Sequence, residues 1–147
     1  MAVKGIQHKA LVVQDLDKSC WFYGAALGFE QIPRPHTFTF QGTWYRAGQS
    51  EIHLIGANDT TAPAGTSDPG VGKQTGLATH TAFEVTDLEE VRTRLESHGV
   101  DIVGGPLARG DGFVQIWLMD PDGHMIEFFQ WTNDDQTNAP ERGAVRG

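Results

Sequence analysis

The chain is written twice. A shift of 72 positions lays His8 on His80, Val13 on Val85, Asp15 on Asp87 and Leu16 on Leu88, so that GIQHKALVVQDLDKS (5–19) and LATHTAFEVTDLEE (77–90) follow one pattern. Further on the shift becomes 71, matching Gly28-Phe29 to Gly99-Val100, and near the end 74, matching IHLIG (52–56) to IEFFQ (126–130). Such small drifts read as insertions in loops, which chains tolerate well. A unit of this kind leaves one sheet face that it cannot cover alone, so two units must pair.

Each half reads as a strand, a helix and three further strands. The opening strands, about 6–13 and 78–85, carry β-branched and aromatic residues in alternation. In the first half Asp15 opens the helix, Leu16, Cys20, Tyr23 and Leu27 mark its buried stripe, and Gly28 closes it. In the second, Asp87 is placed to cap the helix with Glu90 three residues on, and Gly99 stands where a helix ends. The closing hairpins turn through Asp120-Pro121-Asp122-Gly123 and through Gly48-Gln49-Ser50. The expected fold is α+β: two paired βαβββ modules forming a curved mixed sheet, with helices outside and a metal-binding cleft inside. Module one runs from about 4 to 56 and module two from 77 to 131, in a single domain over 1–131. Between them, 57–76 is rich in Gly, Pro, Thr and Asp and reads as a linker, and 132–147 reads as a polar tail.

At 147 residues the chain has the length of one compact domain. Eleven basic against nineteen acidic residues give a net charge of −8 with no basic run, which argues against nucleic acid and anionic membrane as partners. A single cysteine, Cys20, allows no intrachain disulfide and reads as a small core residue. The start moves straight into a strand pattern and no apolar run approaches spanning length, so the expected location is cytoplasmic.

Side chains alternate along a strand, so His8, Ala10 and Val12 share one face, as do His80, Ala82 and Glu84. On the closing strands His53 falls with Glu51 and Ile55, and Glu127 with Met125 and Phe129, leaving Ile52, Leu54, Ile126 and Phe128 for the core. The repeat-equivalent positions thus hold His8, His53, His80 and Glu127. Three imidazoles and a carboxylate suit one divalent ion of Zn, Ni, Co, Mn or Fe, with open positions for water and substrate. The plain alternative is four polar residues satisfied at strand positions. Glu51 competes with His53 as a ligand but reads as a solvated strand start, and His36, His98 and His124 read as surface residues. Phe38, Phe40, Trp44, Phe113, Trp117 and Phe129 are the aromatic candidates for a substrate pocket, half or more of them expected in the core.

IQHKALVVQDLDKSCWFYGAALGFE, EIHLI, THTAFEVTDLEEVRTRLESHGV and LMDPDGHMIEFF together resemble the vicinal oxygen chelate superfamily, which includes glyoxalase I, fosfomycin-resistance transferases, extradiol dioxygenases and bleomycin-resistance proteins. The resemblance covers about residues 4–131. It implies paired βαβββ modules, often in a homodimer, and a substrate held through neighbouring oxygens. It also implies His8, His53, His80 and Glu127 as ligands, with Glu127 a base when substrate displaces it. The chemistry would be that of a metal-dependent lyase or isomerase of the glyoxalase type, stabilising an enediolate or alkoxide.

The resemblance is uneven. Glyoxalase I usually carries Glu where His53 stands, which argues against a glutathione-hemithioacetal isomerase. Extradiol dioxygenases carry Tyr where Trp117 stands. Fosfomycin-type thiol transferases need cationic donors, for which only Lys9, Arg46 and Arg109 are conceivable. Bleomycin-resistance binders generally lack the ligands kept here, so a non-catalytic sequestering protein is the further alternative.

Overall fold

The computed structural model describes residues 1–65 and 76–132. Half of the expected linker, residues 66–75, is therefore outside the described residues, as is all of the expected tail beyond Thr132.

The chain forms two four-stranded mixed sheets, each with a helix crossing from its first strand. In the first unit β1 (His8–Val13) leads into α1 (Leu16–Cys20), which continues as a π-helix over Trp21–Ala26; β2 (Glu30–Ile32), β3 (Gly42–Ala47) and β4 (Ser50–Gly56) follow. In the second, β5 (His80–Glu84) leads into α2 (Leu88–Ser97), then β6 (Gly104–Ala108), β7 (Phe113–Met119) and β8 (Met125–Trp131). The sheet orders are β1-β4-β3-β2 and β5-β8-β7-β6, the same path twice, with the first and last strands of each unit parallel. This is the expected α+β pair of βαβββ modules, built as two sheets.

The ladders repeat as the topology does. Ala10 stands beside His53 as Ala82 stands beside Glu127, and Trp44 faces His53 as Trp117 faces Glu127. Leu11, Val13, Ile52 and Leu54 are buried in the first unit and Ile116, Leu118, Ile126 and Phe128 in the second, on the faces opposite the ligand candidates. A slip of one residue would have exchanged the two faces.

Helix starts follow the capping chemistry. Asp15 accepts from the N–H of Lys18 at 3.1 Å, and Asp87 from those of Glu89 and Glu90, each at 3.0 Å. Gly28 and Gly99 close the helices at φ +78° and +68°, the left-handed region that side chains avoid.

The interior of the first helix departs from the sequence reading. Ser19, Phe22, Tyr23 and Ala26 are buried, while Leu16, Cys20 and Leu27 are only half-buried. The cause is the π-turn, whose Leu27 N–H bonds to the Phe22 carbonyl five residues back at 2.8 Å, rotating the buried stripe. The same turn explains the drift in the repeat. Thirteen positions separate Asp15 from Gly28 and twelve separate Asp87 from Gly99, so the extra residue of the first copy lies in the helix instead of a loop.

The β7–β8 turn, Asp120–His124, belongs to the first unit. Tyr23 donates to the Asp120 carboxylate at 2.8 Å, Ser19 and the Gln14 N–H donate to Asp122 at 3.5 and 3.0 Å, and His124 Nε2 donates to the Val12 carbonyl at 3.1 Å. His124 is thus half-buried and engaged, which corrects its reading as a surface residue. Burial pushes the Tyr23 hydroxyl up, reinforced by the neighbouring Asp120, and also raises the Asp120 carboxyl. Cys20 is likewise half-buried, its thiol 3.3 Å from the Thr43 hydroxyl. No helix among the described residues is long and apolar enough to cross a membrane.

Candidate functional site

The four candidate ligands fall into two pairs, one in each unit. In the second unit β5 and β8 run parallel, so His80 and Glu127 project from neighbouring strands on the same face. His80 Nε2 stands 3.3 Å from Glu127 Oε2. The other ring nitrogen, Nδ1, donates to the Ala78 carbonyl at 2.7 Å. A carbonyl can only accept, so Nδ1 carries a proton, and it is Nε2 that is bare whenever the ring carries one proton. Glu127 is 7 % exposed, and burial pushes its carboxyl above the usual range against the opposing pull of His80 and Arg109.

A bare imidazole nitrogen and a carboxylate oxygen are both acceptors, and they face each other favourably only across a shared cation, either a proton or a metal ion. Two donors held about 2.1 Å from one ion, about 90–110° apart, are separated by about 3.0–3.4 Å. The His80–Glu127 distance fits that spacing, and the Ala78 carbonyl is the kind of outer partner that fixes a ligating histidine.

In the first unit His8 Nδ1 donates to the side-chain oxygen of Gln7, which in the neutral ring leaves Nε2 bare, the same choice as at His80. His53 lies in a stack: its ring is 3.7 Å from Trp44 and nearly parallel to it, and 4.2 Å from His8. Its Nε2 is 2.7 Å from Glu51, and that hydrogen bond is the main reason the Glu51 carboxyl lies below its ordinary value. Glu51 is therefore no solvated strand start, as its position had implied; its side chain is 18 % exposed and paired. The signal for it was its place two residues from His53 on one strand face. The structure thus joins His80 with Glu127 and His8 with His53. Among the described residues no three His, Cys, Asp or Glu side chains form a group able to hold a metal ion. The donors nonetheless suit a divalent ion in kind, as imidazole nitrogens with carboxylate oxygens.

A pocket of about 450 Å³ opens beside the first pair. Phe38, Phe40, Trp44, Ala10 and Ile55 form its apolar wall, and His8, His53 and Glu51 its polar end. Of the six aromatic candidates, Phe38, Phe40 and Trp44 line this pocket. Phe113, Trp117 and Phe129 are not among the residues lining this pocket. Trp117 is 4 % exposed and lies against Gly104, and Phe113 stacks on Phe129 at 4.1 Å, so all three rings take part in packing. Arg109, a conceivable anion donor, lies over Phe113 at 3.6 Å and grips Asp111 with two bonds, of 3.0 and 2.6 Å.

Comparison with known proteins adds the family context. The model for the Glyoxalase/Bleomycin resistance protein/Dioxygenase superfamily matches residues 5–128. Glyoxylase I 4 of Arabidopsis thaliana is 31 % identical over 123 residues, 83 % of this chain and 68 % of that one. Lactoylglutathione lyase of Neisseria meningitidis is 29 % identical over 142 residues, 90 % of this chain and 94 % of that one. A solved glyoxalase/dioxygenase from Nostoc punctiforme superposes with a TM-score of 0.71 at 26 % identity, covering 88 % of this chain and 92 % of that one. The fosfomycin resistance protein of Listeria monocytogenes, solved with manganese(II) and a dihydroxypropylphosphonic acid, shares the fold with a TM-score of 0.68 at 20 % identity, covering 93 % of this chain and 99 % of that one.

Proposed function

Because the chain belongs to the Glyoxalase/Bleomycin resistance protein/Dioxygenase superfamily, we propose that it is a divalent-metal-dependent lyase or isomerase of the glyoxalase type. Its substrate is a small molecule with two neighbouring oxygens. The observation that carries the reading is the His80–Glu127 pair, with His80 fixed so that its bare nitrogen faces the carboxylate at 3.3 Å.

His8, His53, His80 and Glu127 are the residues that would hold the ion, drawn from Zn, Ni, Co, Mn or Fe. When bound, the ion supplies Lewis acidity to the substrate oxygens. Glu127 would take the proton from the hydroxyl-bearing carbon and return it to the adjacent carbonyl carbon, a task favoured by a buried carboxyl with raised proton affinity. Ala78 and Gln7 orient the His80 and His8 rings through their Nδ1 atoms. The naming of the Arabidopsis and Neisseria relatives supports lyase chemistry, and the manganese in the Listeria protein supports a divalent ion in this fold. A homodimer in the cytoplasm is part of the same reading.

Two other readings within the superfamily are less well supported. A phosphonate would find no Lys or Arg lining the first-unit pocket, and a ring-cleaving oxygenase would have buried Trp117 in place of a tyrosine hydroxyl.

The test loads the purified chain with each of the five metals and measures bound metal by elemental analysis, beside His80→Ala and Glu127→Gln. The expected result is stoichiometric metal in the wild type, its loss in His80→Ala, and turnover of 2-oxoaldehyde adducts that Glu127→Gln lacks. Absence of stoichiometric metal with all five ions overturns the reading. Metal without turnover of any adduct would favour a sequestering protein.

A further inference from the structure

The geometry points to a neutral aromatic ring as the part of the substrate that the first-unit pocket holds. This inference rests on the proposed reading for the substrate's oxygens but not for its ring. Phe38 and Phe40 lie 5.1 Å apart, and Phe38 meets Trp44 edge-on at 5.8 Å, so three rings line one cavity. Phe38 and Phe40 are nevertheless 41 % and 37 % exposed. Among the described residues these apolar faces stay partly open beside a cavity of about 450 Å³, which has room for a benzene ring with a short substituent.

Charge decides which kind of ring. No Lys or Arg lines the cavity, so an anionic group has no counter-ion there. Glu51, its acidic residue, is committed to His53 at 2.7 Å. A ligand cation is disfavoured as well. The Arg34 guanidinium, outside the cavity lining, lies 4.8 Å from the Phe40 ring and 5.6 Å from the Phe38 ring, so the cation-binding capacity of these rings is already engaged by the chain itself. Arg34 also donates to the carbonyls of Phe40 and Gly42 at 2.9 and 2.8 Å, which fixes the segment between β2 and β3 that carries both rings. The wall is thus held in place before any ligand arrives, which lowers the ordering cost of binding. His8 and His53 stand at the polar end of the same cavity, where the oxygens of a ring-bearing hydroxy ketone or oxoaldehyde would lie.

The experiment measures equilibrium binding by ligand-observed NMR, on the metal-free and the metal-loaded protein, with three probes. Phenacyl alcohol carries the ring and both oxygens, hydroxyacetone the oxygens alone, and tetramethylammonium a cation without a ring. Phenacyl alcohol is expected to bind about tenfold or more tighter than hydroxyacetone in both forms. Phe38→Ala/Phe40→Ala is expected to erase that preference, and Phe40→Leu, which keeps bulk without a ring, to reduce it, with folding checked by circular dichroism. Equal affinity for the two oxygenated probes, tighter binding of tetramethylammonium, or a preference unchanged in Phe40→Leu overturns the inference. Failure to take up metal overturns the proposed chemistry alone, because the ring preference is read in the metal-free protein.

Discussion

His80 Nε2 faces the Glu127 carboxylate at 3.3 Å while its Nδ1 is bound to the carbonyl of Ala78 two residues earlier. The ring therefore cannot turn its free nitrogen away without breaking a hydrogen bond. An ion bound here stabilises the native state by mass action, by about 2.7 kcal/mol at a free concentration a hundred times its dissociation constant. Chelation should lower the midpoint of urea unfolding in the wild type and leave His80→Ala unmoved. Equal midpoints for wild type with and without metal would count against the site.

Tyr23 donates to buried Asp120 at 2.8 Å. Tyr23→Phe removes a bond to a charged acceptor, with an expected cost of about 1.5–3 kcal/mol at neutral pH. The sign with pH follows from the raised hydroxyl. Folded Tyr23 keeps its proton at pH values where the unfolded tyrosine, near 10.0, has lost it. Its contribution is complete below that value and is lost as pH rises through the higher folded one. Urea unfolding at pH 7 and pH 11 should show a smaller gap between wild type and variant at the alkaline end.

Gly104 leaves room for the Trp117 indole: a methyl group at this position would overlap the ring. Gly104→Ala is expected to destabilise by about 1–3 kcal/mol through overpacking. Near-ultraviolet circular dichroism should show the altered tryptophan environment, and an unchanged spectrum with unchanged stability would refute the packing role.

Arg109 binds Asp111 through two nitrogens and covers the Phe113 ring at 3.6 Å. Lysine offers neither the fork nor the flat stacking face. Arg109→Lys is expected to cost about 1 kcal/mol in thermal unfolding, a modest figure because the Arg109 side chain is 42 % exposed. A neutral result would mean that solvent replaces both contacts.

The repeat made the modules legible, since period-two alternation and helix caps are local signals that need no tertiary knowledge. The pairing of His80 with Glu127 followed from strand alternation for the same reason. Glu51 was misjudged because strand position alone does not show that a neighbouring histidine will turn onto it. For Phe113, Trp117 and Phe129 alternation gives the face of a strand but not what covers that face, so it cannot separate a pocket wall from packing. The buried stripe of the first helix failed for a third reason: a period of 3.6 does not apply across a turn closed five residues back.

That widened turn predicts its own reversal. Deleting Ala25, which is exposed, should let the segment close as ordinary α-helix with Asp15 and Gly28 still at its ends. The expected loss is about 1–3 kcal/mol from reoriented side chains, read by thermal unfolding, and failure to fold would show that the π-turn is required for the packing of Phe22 and Tyr23.

A helix that stores a surplus residue as a local bulge spares everything downstream from the change. β4 can keep its pairing with β1 although the first copy has grown by one residue before it. One half of the repeat can thus differ in length from the other while the strands bearing the imidazoles stay aligned.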